Sequence, residues 1–130
     1  PSDIKESWHG QLVAGAKQCR NPWLPELRTL PGGVEELIAL AEESGCEHRH
    51  VLVESGHKSV MALTPETLGQ PGRTLCVVGP EGGFTEREVS RLAEAGFLPA
   101  TLGERVLRWE TAAVLCLGLH WWKRQLDRKL

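Results

Sequence analysis

Apolar residues recur at helical spacing in two stretches of the first third of the chain. The first stretch covers residues 4–19, and it ends before Pro22 because a residue that precedes a proline is disfavoured in the helical region. The second covers residues 34–41, and Gly45 follows it as a predicted C-cap. The pattern therefore predicts two amphipathic helices, joined by a connection that contains several prolines.

A third helix is predicted from the residues at its ends. Thr85 is followed three residues later by Glu88, and this spacing is typical of a capping box, in which each side chain accepts a hydrogen bond from the backbone N–H of the other residue. Val89 and Leu92 then give the helix an apolar face. We expect it to start near residue 86 and to end at Gly96.

Residues 110–125 are apolar on nearly every face of a helix. Such a helix is expected to be covered on all sides, and a domain of this size offers few surfaces that can cover it. Leu115, Leu119 and Trp122 follow the i, i+4, i+7 spacing of one stripe. The pattern therefore predicts a homodimer in which this helix contacts a second copy of the chain.

Three short apolar runs are typical of buried strands. Residues 50–54 and 75–78 are apolar enough to be buried on both faces. Residues 97–102 form a third run, in which Pro99 is expected to weaken the strand or to displace it to an irregular position. Because helices alternate with these runs, the sequence predicts an α/β domain with a parallel sheet.

Length and composition fit one soluble globular domain. The chain has 130 residues, 41% of them hydrophobic and 25% charged, which is enough apolar material for a core and argues against disorder. The formal net charge of −2 argues against a strongly basic nucleic-acid-binding module, although local basic clusters are compatible with it. The sequence shows neither a signal peptide nor a membrane-spanning apolar run, so a cytoplasmic location without a membrane partner is expected.

The four cysteines are far apart and show no C-x-x-C spacing: Cys19, Cys46, Cys76 and Cys116. We therefore expect reduced core thiols rather than disulfides. Residues 46–50 combine cysteine and histidine, but a structural zinc site needs a second ligand pair, which does not accompany them. No metal is expected.

Two loops that contain glycine follow predicted strands. Residues 79–83 have the sequence GPEGG, and residues 103–111 have the sequence GERVLRWET. The first loop alone is compatible with a tight turn, and it is neither a Walker A loop nor a G-x-G-x-x-G fingerprint. Both loops, however, come at the carboxyl end of a buried strand, where open α/β sheets bind ligands. Their repetition favours a ligand site.

These two loops belong to longer motifs that resemble a known family. The sequence VVGPEGGFTEREV, followed at this distance by LGERVLRWETAAV, is similar to the paired signature of the RsmE-type family. Its members are SPOUT-class methyltransferases that methylate N3 of a uridine in small-subunit ribosomal RNA. Residues 15–20 (GAKQCR) and 24–27 (LPEL) fit the family's middle region. The resemblance implies a parallel α/β sheet with helices on both faces, whose C-terminal part is threaded into a trefoil knot.

The resemblance also implies a cofactor, S-adenosylmethionine. In this family the loop after the apolar strand and the loop before the last helix form walls of the cofactor pocket, and the glycines leave room for the cofactor against the backbone. Main-chain hydrogen bonds and apolar contacts of the second loop would hold the adenine end of the cofactor. Carried over to this sequence, the implied cofactor-binding residues are Leu52, Val53, Glu54, Val78, Gly79, Pro80, Glu81, Gly82, Gly83, Leu102, Gly103, Val106, Leu107, Arg108, Thr111 and Ala112.

Methyl transfer to uridine N3 suggests roles for three charged residues. The methyl group moves in a direct displacement, for which positioning supplies most of the effect, and the N3 proton must be lost. We hypothesise that Arg108 stabilises the anionic uracil oxygens and that Glu81 or Glu110 accepts the proton. Glu110 has a structural alternative, because carboxylates are favoured near a helix N-terminus.

The implied partners are ribosomal RNA or the small ribosomal subunit, and a second copy of the chain. Lys17 and Arg20 are predicted to contact RNA phosphate, with a solvated helix end as the alternative. Family members also have an N-terminal RNA-binding β-barrel and a first strand-helix-strand part, which this sequence lacks. We expect residues 1–130 to be a SPOUT methyltransferase domain from a longer enzyme. The alternative is a truncated, non-catalytic remnant that dimerises or binds cofactor or RNA.

Overall fold

The computed structural model describes residues 4–54 and 60–128 of the chain. Within these residues it contains five helices and four strands. In chain order they are α1 (Glu6–Gln18), α2 (Gly33–Glu43), β1 (His48–Leu52), β2 (Met61–Ala62), α3 (Pro65–Leu68), β3 (Thr74–Val77), α4 (Glu86–Glu94), β4 (Leu98–Thr101) and α5 (Trp109–Asp127).

The four strands form one sheet in the order β2-β4-β1-β3. All three neighbouring pairs are parallel, which confirms the predicted parallel α/β sheet. Because the strands are parallel, their carboxyl ends meet at one edge of the sheet. The loops that follow β3 and β4, and residues 53–54 after β1, therefore lie side by side at that edge.

Helices pack on both faces of the sheet, as expected. On one face α2 and α4 cover a core of Ile38, Ala41, Val51, Val77, Leu92 and Phe97. On the other face α3 and α5 cover a smaller core of Leu63, Leu68, Ala100 and Cys116. Successive strand residues alternate between these cores, with Cys76 packed against the second and Val77 buried in the first.

Two elements, β2 and α3, were not predicted from the sequence. β2 has only two residues, Met61–Ala62, which is too short to show any hydrophobic period. The four-residue helix α3 did have a local signal, because Thr64 caps it by accepting a hydrogen bond from the Thr67 N–H and Pro65 occupies its first turn. β1 also starts earlier than predicted, at His48, and ends at Leu52.

The prediction that Pro99 disturbs its strand was wrong. Pro99 lies inside β4, paired with Val51 of β1, and β4 itself lies between β2 and β1. The Val53 N–H donates to the Ala100 carbonyl of β4, so the backbone polar groups of Ala100 point toward β1. The backbone of the preceding residue, Pro99, therefore points toward the β2 side. Pairing with β2 begins only at Ala100. The proline therefore removes no hydrogen bond from the ladder.

The predicted capping box at the start of α4 is confirmed. The Glu88 N–H donates to the Thr85 hydroxyl oxygen at 3.2 Å, and the Thr85 N–H donates to the Glu88 carboxylate at 2.8 Å. Gly96 follows the helix with a positive φ of 85°. Both ends of α4 thus agree with the sequence pattern.

In the single chain the last helix is covered on one side, and its cover by a second copy of the chain stays a prediction. The buried residues of α5 are Ala112 and Cys116, and Leu119 packs against the second core. The other large apolar residues of α5 are exposed, because α3 and the sheet cover only one side of the helix: Trp109, Val114, Leu115, Leu117, Trp121, Trp122 and Leu126.

The first helix and its cysteine also differ from expectation. α1 contains no buried residue, and Cys19 at its end is exposed, so Cys19 is not the core thiol that was predicted. Cys76, Cys46 and Cys116 are half-buried or buried free thiols, as expected. None of the helices in the described ranges is long and apolar enough to cross a membrane.

Candidate functional site

A cleft of about 420 Å³ opens at the carboxyl edge of the sheet. It is bordered by residues 52–54 at the end of β1, by the loops after β3 and β4 and by the first turn of α5. Its lining comprises Leu52, Val53, Glu54, Val78, Gly79, Pro80, Glu81, Gly82, Gly83, Phe84, Thr101, Leu102, Gly103, Glu104, Arg105, Val106, Leu107, Arg108, Trp109 and Ala112. The two long sequence motifs thus face each other across one cleft.

The loop after β3 forms the first wall and is a tight turn in its own right. The Gly83 N–H donates to the Pro80 carbonyl at 2.9 Å, and Gly82 and Gly83 have positive φ angles of 89° and 73°. A Cβ at Gly79 would lie 3.1 Å from the Phe84 ring. The positive φ angles therefore favour glycine at positions 82 and 83 whether or not a ligand is bound, whereas a side chain at position 79 would have to displace the Phe84 ring by a few tenths of an ångström.

The loop after β4 forms the opposite wall and is held by Thr101. The Thr101 hydroxyl donates to the Gly103 carbonyl at 2.8 Å and accepts from the Gly103 N–H at 3.3 Å. Beyond this turn, Val106 is 74% exposed although it lines the cleft. An apolar side chain in such a position offers contact area for a ligand.

Arg108 lies at the mouth of the cleft between two carboxylates. Its Nη2 is 3.8 Å from Glu81 Oε1 on the opposite loop, and its Nε is 4.0 Å from Glu110 Oε2 in the first turn of α5. The Arg108 and Glu81 side chains are each 77% exposed. Exposed pairs at such distances contribute little to stability, so this arrangement leaves the guanidinium available to an anionic ligand.

All the predicted cofactor-binding residues except Thr111 line this cleft. Glu110 and Thr111 line a shallow apolar groove beside it, together with Leu107, Val114 and Leu115. Lys17 and Arg20 are exposed at the end of α1 and are not among the lining residues.

The sequence prediction missed several lining residues, namely Phe84, Thr101, Glu104, Arg105 and Trp109. Thr101 had a usable signal, because it ends a buried strand and the ends of parallel strands form such sites. In the part of the chain that the structure describes, no three His, Cys, Asp or Glu side chains cluster closely enough to hold a metal ion.

Residues 2–121 match the family described as RNA methyltransferase domain. The ribosomal RNA small subunit methyltransferase E of Treponema pallidum is 30% identical over an alignment 135 positions long, and this alignment covers 95% of this chain and 48% of that protein. The protein of the same name from Mycobacterium bovis is 47% identical over 111 residues, which cover 85% of this chain and 42% of that protein. The chain spans about half the length of these curated relatives.

Solved structures show the same relationship. A probable rRNA-methyltransferase from Porphyromonas gingivalis aligns with a TM-score of 0.77 and 26% identity, over 98% of this chain and 53% of that one. A ribosomal RNA small subunit methyltransferase E from Neisseria gonorrhoeae, bound to S-adenosyl methionine, aligns with a TM-score of 0.66 and 25% identity, over 89% of this chain and 46% of that one. The chain belongs to the RsmE-type family of RNA methyltransferases.

Proposed function

We propose that this chain is part of an S-adenosylmethionine-dependent methyltransferase that acts on N3 of a uridine in small-subunit ribosomal RNA. The observation that supports this most directly is the cleft that the two family motifs form together at the carboxyl edge of the sheet. Its volume of about 420 Å³ falls in the range typical of small-molecule sites. A ribosomal substrate also agrees with the cytoplasmic location expected from the sequence.

In this proposal the two loops hold the cofactor from opposite sides. The three glycines of the turn at residues 79–83 present backbone without side chains to the cleft, which allows close approach of a ligand. Leu102, Val106 and Leu107 form an apolar wall opposite the turn and would hold the adenine ring. Leu52, Val53 and Glu54 close the cleft between these walls.

The bound cofactor would supply an electrophilic methyl group, and the chain's own residues would position the uridine and take up its proton. The Arg108 guanidinium lies at the cleft mouth, where it would stabilise negative charge on the uracil oxygens. Glu81 lines the cleft whereas Glu110 faces the neighbouring groove. This difference favours Glu81 as the proton acceptor and a structural role for Glu110 at the start of α5.

A homodimer formed through α5 belongs to the same proposal. The apolar groove of Leu107, Glu110, Thr111, Val114 and Leu115 borders the cleft, because Leu107 lines both. A second copy seated on α5 would cover apolar surface that the single chain exposes. It would also bring the partner close to each cofactor site.

Two further features of the family are part of the proposal. We infer that the C-terminal elements are threaded into a trefoil knot, which agrees with β4 lying between β2 and β1 and with α5 returning beneath the loops. We also infer that residues 1–130 form one methyltransferase domain. Lys17 and Arg20, both exposed, would contact phosphates of the ribosomal RNA.

Isothermal titration with S-adenosylmethionine tests the cofactor site. Val106 lines the cleft and is 74% exposed, so Val106→Asp should weaken binding by about tenfold or more without unfolding the chain. Leu24→Asp is the matched control, because Leu24 is 48% exposed and does not line the cleft. Transfer of a labelled methyl group to unmodified small ribosomal subunits tests the reaction. No binding at millimolar cofactor would favour the non-catalytic remnant instead.

A further inference from the structure

A pair of thiols lies beneath the cleft and has no role in the proposed methyl transfer. The sulfur of Cys76 on β3 is 3.8 Å from the sulfur of Cys116 on α5. Cys76 precedes the cleft residue Val78 by two positions, and Cys116 follows the cleft residue Ala112 by one helical turn. The pair therefore connects the strand and the helix whose ends border the cleft.

We propose that Cys76 and Cys116 are a redox-active pair that closes to a disulfide under oxidation and thereby changes the cleft above it. Formation of the disulfide is independent of the protein's activity. Its effect on cofactor binding rests on the proposed methyltransferase function.

A disulfide between these two cysteines would constrain the cleft because of where they lie in the chain. A disulfide bond is about 2.05 Å long, so the two sulfurs must approach by roughly 1.8 Å. The cysteines are 40 residues apart, and the segment between them contains both cleft loops, α4 and β4. Oxidation would close a covalent ring that includes both walls of the cleft, and it would draw α5 toward β3 directly below.

A hydrogen bond couples the two thiols. The Cys76 S–H donates to the Cys116 sulfur, and this hydrogen bond lowers the pKa of Cys116. The same pairing, with burial, raises the pKa of Cys76. The thiol that is oxidised first has the other within 3.8 Å as its resolving thiol.

His50 lies beside the pair. It is the register partner of Cys76 in the neighbouring strand β1, so the two side chains share one face of the sheet about 4.8 Å apart at the backbone. His50 is buried, and its Nδ1 has no hydrogen-bond partner among the described residues. Burial lowers the pKa of His50, so a neutral imidazole borders the thiols on this face.

Hydrogen peroxide serves as the two-electron oxidant. One of the two thiols loses its proton, and its thiolate attacks one peroxide oxygen, which forms a sulfenic acid and releases hydroxide. The second thiol then loses its proton, and its thiolate attacks the sulfenic sulfur, which forms the S–S bond and releases a second hydroxide. The two protons released by the thiols convert the two hydroxides to water. Two thiols and one peroxide thus yield one disulfide and two waters.

The first test follows the thiols of a Cys19→Ser variant, in which the exposed cysteine cannot form bonds between chains. After treatment with hydrogen peroxide, we expect mass spectrometry to show a loss of two hydrogens and a peptide linked through Cys76 and Cys116. Additional replacement of Cys76 or Cys116 by serine should abolish the link, whereas replacement of the half-buried Cys46 should not. A gain in mass from oxygen added to the cysteines, without the disulfide between Cys76 and Cys116, would overturn the proposal.

The second test compares the oxidised and reduced forms. Because the ring encloses 40 residues, we expect the disulfide to raise the unfolding midpoint by on the order of 10 °C. We expect S-adenosylmethionine to bind the oxidised form about tenfold more weakly, with recovery after reduction, because small displacements of a site have large effects. Equal affinity of the two forms would overturn the coupling to the cleft.

The two proposals fail in distinguishable ways. If the reduced chain binds cofactor but peroxide leaves Cys76 and Cys116 unlinked, the redox proposal is overturned and the cofactor site stands. If the disulfide forms and stabilises the chain but neither form binds cofactor, the thiol pair stands and the methyltransferase proposal is overturned.

Discussion

The two faces of the sheet are built differently. The face covered by α2 and α4 holds the larger core, with Val51, Leu92 and Phe97 almost fully buried. The face covered by α3 and α5 holds a smaller core, and α5 exposes several large apolar side chains, of which Val114 and Leu115 line the groove beside the cleft. We infer that the α2/α4 face supplies most of the stability of the single chain, whereas the α3/α5 face is arranged for ligand and partner binding.

Truncation of the α2/α4 core should have the largest effect. Phe97 is 1% exposed, so Phe97→Ala should lower the free energy of unfolding by about 3–5 kcal/mol, as measured by urea denaturation. Leu98→Ala is the matched control, because Leu98 is the next residue and is 52% exposed. A loss at residue 98 as large as the loss at residue 97 would contradict the division between the two faces.

At the cleft we expect the opposite result, a loss of activity without a loss of stability. Arg108→Ala should lower kcat/KM for methyl transfer by about 10²-fold, because the Arg108 guanidinium lies within 4.0 Å of both Glu81 and Glu110 at the cleft mouth. Its free energy of unfolding should change by less than about 0.5 kcal/mol, since the side chain is exposed. Arg87→Ala on α4 is the control. Equal activity of both variants would exclude the proposed role of Arg108.

A charge placed on the exposed surface of α5 should weaken dimerisation and leave the fold of the single chain intact. Leu117 is 71% exposed in the single chain, so Leu117→Asp should leave the fold intact and weaken dimerisation by about 30-fold, as measured by analytical ultracentrifugation. Leu119 is unsuitable for this test because it packs against the second core. Trp23→Asp, at a residue 79% exposed outside α5, is the control. A wild-type chain that stays monomeric at tens of micromolar would refute the dimer.

Patterns among residues close together in the chain were sufficient to predict part of this fold. The capping box at Thr85 and Glu88 depends on residues three positions apart, and it was predicted correctly. The position of the cleft was also predictable, since it follows from two strand ends in a parallel sheet.

The sequence was not sufficient where the structure depends on contacts between residues that are distant in the chain. Whether Pro99 is tolerated depends on where the pairing of β2 begins. Which side of α5 is buried depends on α3, an element too short to predict. The proximity of Cys76 and Cys116 likewise had no sequence signal.

The smallest expected effect is again on the α2/α4 face, at an exposed ion pair. Arg91 of α4 donates two hydrogen bonds to the Glu35 carboxylate of α2, at 2.7 and 2.9 Å. The hydrogen bond from Arg91 lowers the pKa of Glu35 below its ordinary value of 4.5. The contribution of this pair is therefore fully present above that value and is lost as the pH falls through the lowered pKa of the folded state.

Glu35→Gln should accordingly cost a small amount of stability at neutral pH, and this cost should shrink as the solution is made acidic or high in salt. Chemical denaturation of both proteins at neutral and acidic pH measures the difference. Glu43→Gln, at an exposed position near the end of the same helix, is the control and should show a smaller change with pH. A cost for Glu35→Gln as large as that for Phe97→Ala would mean that charge, rather than the apolar core, holds α2 and α4 on the sheet.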